Sequence, residues 1–146
     1  MALLRAEDLV VGLEIDLGSY TVTADEIVEF ARQWDPQSFH VDPSAAAESY
    51  FGEVIASGLH TLGVLQRLAV LGAYQHWDVI AGRRIRSIEL TAPVTDGSTL
   101  TGSLVVEEVT PRGPERALVA VRGRLVGSDR RPVLDAVFEM YLRRSA

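Results

Sequence analysis

Asp35 and His40 stand five residues apart in the stretch Asp35-Pro36-Gln37-Ser38-Phe39-His40. A carboxylate and an imidazole that grip one water can work as a general base, a task worth about 10²–10⁴ in rate when proton affinity is tuned near neutrality. A second group follows in Ala56-Ser57-Gly58-Leu59-His60-Thr61. Ser57 has the form of a helix N-cap, which leaves Gly58 at the first helical position, where the amide is unpaired and the helix dipole is positive. Glycine there lets a ligand come close to the backbone. An acyl carbonyl resting on that amide would gain a hydrogen bond as negative charge develops, a contribution of about 2.7–4 kcal/mol for one such donor.

Simpler roles compete for the same residues. An Asp before Pro often caps a turn, and a single His between Phe39 and Val41 can be a core residue. Gly58 and Gly63 can serve close packing of a helix on a sheet. His40 and Asp42, with His60 or His76, resemble a two-histidine, one-carboxylate metal set, although Asp42-Pro43 has the form of a helix cap with proline at the first helical position. Ser57 lacks the Gly-x-Ser-x-Gly elbow of a serine nucleophile. Trp34, Tyr50, Phe51 and Trp77 read as core or interface residues. Arg83, Arg84 and Arg86 read as a solvated strand edge that could also meet phosphates.

The elements that must position these groups are legible around them. Residues 9–22 read as an irregular lead-in ending in a short strand at Tyr20 to Val22. Thr23-Ala24-Asp25-Glu26 matches a capping box, with Ile27, Phe30, Ala31 and Trp34 following at helical spacing, and Pro36 stops this helix at Asp35. A short helix is predicted from Asp42-Pro43 through Ala47. A third helix is predicted from Ser57 to about Leu71, stopped by Gly72. It is apolar almost all round, the pattern of a helix inside a protein. Four alternating, strand-like runs follow, Arg86 to Pro93, Ser98 to Thr110, Arg116 to Ser128 and Val133 to Arg143. One buried helix and a long antiparallel run predict an α+β fold in a single domain, 1–146, with the sheet curled around the helix.

Composition bounds the partners. The chain of 146 residues carries a formal charge of −6 and no cysteine, which rules out disulfides and cysteine-ligated metals. An acidic chain without a basic stripe argues against nucleic acid. No apolar run is long enough for a membrane helix, and acidic residues at Glu7 and Asp8 stand where a signal peptide would be apolar, so a cytoplasmic protein is expected. All 14 basic residues are Arg.

Taken together, Asp35-Pro36-Gln37-Ser38-Phe39-His40, Asp42, Phe51-Gly52 and Ile55-Ala56-Ser57-Gly58-Leu59-His60-Thr61 resemble the MaoC-like dehydratases and the R-specific enoyl-CoA hydratases. Ser87-Ile88-Glu89-Leu90 and Pro93-Val94 through Gly97-Ser98-Thr99-Leu100 continue the resemblance. It implies the hot dog fold, a long central helix wrapped by a curled antiparallel β-sheet, and a homodimer whose sheets join edge to edge. It implies that Asp35 and His40 deprotonate a water that adds to C3 of a trans-2-enoyl thioester, giving an R-3-hydroxyacyl thioester on CoA or an acyl carrier, with dehydration as the reverse. Gly58, with Ser57, would bind the thioester oxygen. Phe39, His60 and Gln66 would line the substrate pocket. No cofactor and no metal are implied. Gln37-Ser38 stands where the family's hydratases commonly show Asn-Pro, and Gln66 where some place a serine. A non-catalytic module that binds an acyl thioester or pairs subunits, and a thioesterase, are alternatives on the same fold.

Overall fold

A computed structural model describes residues 2–145. Helix α1 spans Ala24–Trp34 and starts as predicted. The Thr23 hydroxyl accepts the Glu26 N–H at 3.3 Å while Glu26 Oε1 accepts the Thr23 N–H at 3.1 Å, which satisfies two amides that the first turn leaves unpaired. The helix ends where Pro36 forbids helical geometry at Asp35. Two short helices follow, α2 at Ser38–Val41 and α3 at Pro43–Ala47. Asp42 joins them and caps α3, accepting the Ser44 N–H at 2.9 Å. The long helix α4 runs Gly58–Gly72, so Gly72 closes its last turn rather than stopping it one residue earlier.

Strands β1 (Glu14–Thr21), β2 (Val79–Leu90), β3 (Thr99–Pro111), β4 (Arg116–Val126) and β5 (Pro132–Arg143) form one antiparallel sheet in the order β1-β3-β4-β5-β2. The sheet is open, with β1 and β2 as its edges. Two strands are longer than the sequence suggests. β1 begins at Glu14 rather than Tyr20, because Leu17 is inserted against β3 between the Asp16 and Gly18 pairings and Gly18 takes φ 76°, which breaks the alternation. β2 begins at Val79 rather than Arg86. Ile80, Arg83 and Arg86 are each an extra residue against β5, so its pattern repeats every three residues and hides the strand.

α4 lies on the inner face of the sheet, where Val64, Leu65, Leu68 and Ala69 join Leu104, Val119, Val121 and Leu125 in the core. Gly123 of β4 permits this approach, since a β-carbon there would stand 2.9 Å from Leu65 Cδ2. The other side of α4 is uncovered, with Leu59 57% and Leu71 48% exposed, which corrects the expectation of burial all round. Five strands curl around only part of the helix, and among the described residues no element covers the remaining apolar stripe. β2 is exposed along its whole length. A groove of about 620 Å³ separates it from α4.

The outer face of the sheet is ionic. Glu139, buried on β5, is held by both Arg83 and Arg86, and Arg86 also reaches Glu108 at 3.2 Å. Asp135 takes Arg122 at 2.6 Å and Arg124 at 2.8 Å. Arg83 and Arg86 are therefore committed to a carboxylate rather than free for phosphates. Trp77 is a core residue as expected, whereas Trp34, Tyr50 and Phe51 are exposed. Among the described residues no helix is long and apolar enough to cross a membrane.

Candidate active site

Asp35 and His40 meet because a helix end and a helical turn are pressed together. Asp35 caps the C-terminus of α1, its N–H still donating to Ala31 O at 2.8 Å. The bend at Pro36 then turns the chain into α2, which carries His40 back beside it. His40 Nε2 stands 3.3 Å from Asp35 Oδ2. On the far side of the ring, Nδ1 lies 2.5 Å from the carbonyl oxygen of Ile55. A carbonyl can only accept, so Nδ1 carries a proton, and in its neutral form the ring presents a lone pair at Nε2. The imidazole is buried and Phe39 packs on it with ring centroids 4.4 Å apart.

Both oxygens of Asp35 are held. Ser57 Oγ donates to Oδ2 at 2.7 Å and Gln37 Nε2 donates to Oδ1 at 2.8 Å. These donors, with Ser57 the larger influence and His40 adding a smaller one, hold the carboxyl below its usual range. Asp35 is thus kept ionised. When the His40 ring is neutral, two acceptors, Nε2 and Oδ2, face each other, and a water donating one hydrogen to each would relieve their repulsion.

Ser57 also caps α4, accepting the Leu59 N–H at 3.2 Å, and is fully buried. Its hydroxyl is directed to Asp35, so it is not free to bind a thioester oxygen as the resemblance implied. The next residue, Gly58, has an amide with no partner among the described residues. The Leu90 side chain lies over it, and a β-carbon at position 58 would collide with Leu90 Cδ1. The glycine therefore serves close packing as well as leaving a free donor beside Ser57.

The remaining sequence candidates lie apart. His60 turns to the other side, stacks on Phe30 at 4.8 Å, and leaves Nδ1 buried without a partner. Burial pushes its pKa down, and Glu26 only partly offsets this. Gln66 is about two turns along α4 from Gly58 and lines the groove facing β2. That groove touches Leu59 but neither Asp35 nor His40. The metal set of His40, Asp42 and a third histidine is not assembled. Asp42 caps α3, and no three metal-binding side chains converge among the described residues. Sequence reasoning missed the work of Gln37 and of the Ile55 carbonyl. The Gln37 departure marked the position without its role, and a backbone carbonyl 15 residues from His40 leaves no sequence signal.

A model of the MaoC like domain matches residues 10–126. The 3-hydroxyacyl-thioester dehydratase Z of Mycobacterium tuberculosis is 34% identical over 112 residues, covering 74% of each chain. A MaoC-like dehydratase structure from Rhodospirillum rubrum is 30% identical with a TM-score of 0.84, over 98% of this chain and 99% of that one. An Archaeoglobus structure described as a monoamine oxidase regulatory protein is 25% identical with a TM-score of 0.91, over 100% and 98%. The fold is the hot dog fold that these structures share.

Proposed function

The chain belongs to the MaoC-like domain family of hydratases and dehydratases, and from that premise we propose that it interconverts a trans-2-enoyl thioester and an R-3-hydroxyacyl thioester. The observation that carries this reading is the free Nε2 of His40 facing the ionised Asp35 at 3.3 Å, beside the unpaired amide of Gly58. In hydration, a water donates one hydrogen to Asp35 Oδ2 and the other to His40 Nε2. His40 takes its proton, the oxygen bonds to C3, and the C2–C3 π pair shifts toward the thioester oxygen. The Gly58 N–H meets the charge that develops there. The enolate then collapses and C2 takes the proton back, so the net change is one water added. Dehydration runs the same steps in reverse. Because Asp35 is held ionised by two donors, it anchors water and imidazolium, and His40 is the proton carrier.

The carrier is CoA or an acyl-carrier pantetheine, and the active form is a homodimer. The exposed β2 edge, with Ile80, Ile85, Ile88 and Leu90 all more than 40% exposed, supports pairing with a second copy. The direct test is hydration of crotonyl-CoA and longer enoyl-CoA thioesters, followed as loss of enoyl absorbance. Release of free thiol instead would mark a thioesterase. Binding without turnover across the whole series would mark a non-catalytic module.

A further inference from the structure

Gln37 bonds to both members of the catalytic pair. Its side-chain amide donates to Asp35 Oδ1 at 2.8 Å, and its backbone carbonyl accepts the His40 N–H at 2.9 Å. Its own N–H returns to Asp35 O at 2.8 Å. The backbone between Pro36 and Ser38 is therefore fixed at both ends, and the side chain starts from a defined position. Asp35 has two equivalent oxygens, and nothing intrinsic decides which one faces His40. Ser57 bonds to Oδ2, the oxygen that faces His40, but one bond to one oxygen leaves the carboxylate plane free to swivel about it. A donor on Oδ1 removes that freedom.

We propose that Gln37 is a positioning residue of this site, its side-chain amide locking the plane of the Asp35 carboxylate while its backbone carbonyl seats the turn that carries His40. The proposal rests on the hydratase reading for its consequence in turnover, but its geometric content stands without it. The depressed proton affinity of Asp35 agrees, since Gln37 is the second of its causes after Ser57. Among the described residues His40 is the one ionisable side chain in contact with this carboxylate, so titration of Asp35 is read against few competing groups.

The test uses the full chain with Gln37→Met and Gln37→Glu, which keep the backbone bonds and remove or invert the side-chain donor. With carbon-13-labelled aspartate and Asp35→Asn for assignment, the titration midpoint of Asp35 is expected to rise by about half to one pH unit in Gln37→Met, the scale of one lost hydrogen bond. It is expected to rise further in Gln37→Glu, where two carboxylates face each other. In the same variants kcat should fall several-fold with KM unchanged. An Asp35 midpoint identical in all three proteins overturns the proposal. If no enoyl thioester is hydrated by the unaltered protein, the hydratase reading fails while the titration still decides the role of Gln37.

Discussion

In the proposed reaction His40 and Asp35 divide one task, and substitutions at the two positions should report different halves of it. His40→Ala removes the free lone pair and Asp35→Asn removes the anchor, and each is expected to lower enoyl-thioester turnover at least about 10²-fold with the far-ultraviolet spectrum unchanged. Ser57→Ala strikes twice, because the same hydroxyl holds Asp35 and caps α4. It should cost about 0.5–2 kcal/mol in chemical denaturation and also raise the titration midpoint of Asp35. Acid stability has a definite sign. The folded-state pKa of Asp35 is depressed, so its contribution is present above the usual 3.8 and is lost as pH falls through the folded value. For His60 the folded-state pKa also lies below the usual value, here 6.5. Unfolded chains therefore bind the proton first, and stability is lost as pH falls below about 6.5 toward the folded value. A fall in Tm between pH 7 and pH 5 that His60→Phe flattens, with the stack on Phe30 retained, is the expected outcome of thermal scans.

The elements differ in how openly their sequences declare them. α1 was legible from the capping box, and β3, β4 and β5 from their alternation, to within two residues at each end. The first half of β2, before Arg86, was hidden for a physical reason. Three extra residues spaced three apart put Val79, Gly82, Ile85 and Ile88 at a spacing that mimics a helical stripe. Leu17 does the same to β1. Of the site, the pair and the glycine were visible as residue types, but the Ser57 to Asp35 bond spans 22 residues and exists only once α4 docks against α1. How closely α4 docks is tested at Gly123. Gly123→Ala places a methyl against the fully buried Leu65 and is expected to cost about 1–3 kcal/mol by denaturation, read as a lower midpoint. At Gly58 the obstructing atom belongs to an exposed Leu90 that can swing aside. Gly58→Ala should therefore leave Tm nearly unchanged while blocking access to the amide, lowering kcat/KM.

For the molecule as a whole, the uncovered side of α4 and the exposed β2 edge leave apolar side chains, Leu59, Leu71, Ile85 and Ile88 among them, facing water. The homodimer proposed above would cover these side chains. If the proposed homodimer forms through this edge, Ile85→Glu is expected to shift sedimentation from dimer to monomer, and the shift should strengthen at lower protein concentration. The termini are tied by charge as well. Glu7 accepts from Arg144 Nε at 2.9 Å and from the Ser145 N–H at 2.9 Å, which pulls its pKa down to about 2.

The bulged strand also bears on how such a protein can change over generations. Each of Ile80, Arg83 and Arg86 is a surplus residue that β5 does not pair. Loss of one codon there shortens the strand locally and leaves the pairing on either side intact, so this edge can vary by insertion and deletion. Arg83 and Arg86 are constrained by their grip on Glu139, whereas Ile80 makes no such bond. Deletion of Ile80 is the length change this sheet should absorb most easily, and deletion of Arg86 the one that strips Glu139 and Glu108 of a shared partner at a single stroke.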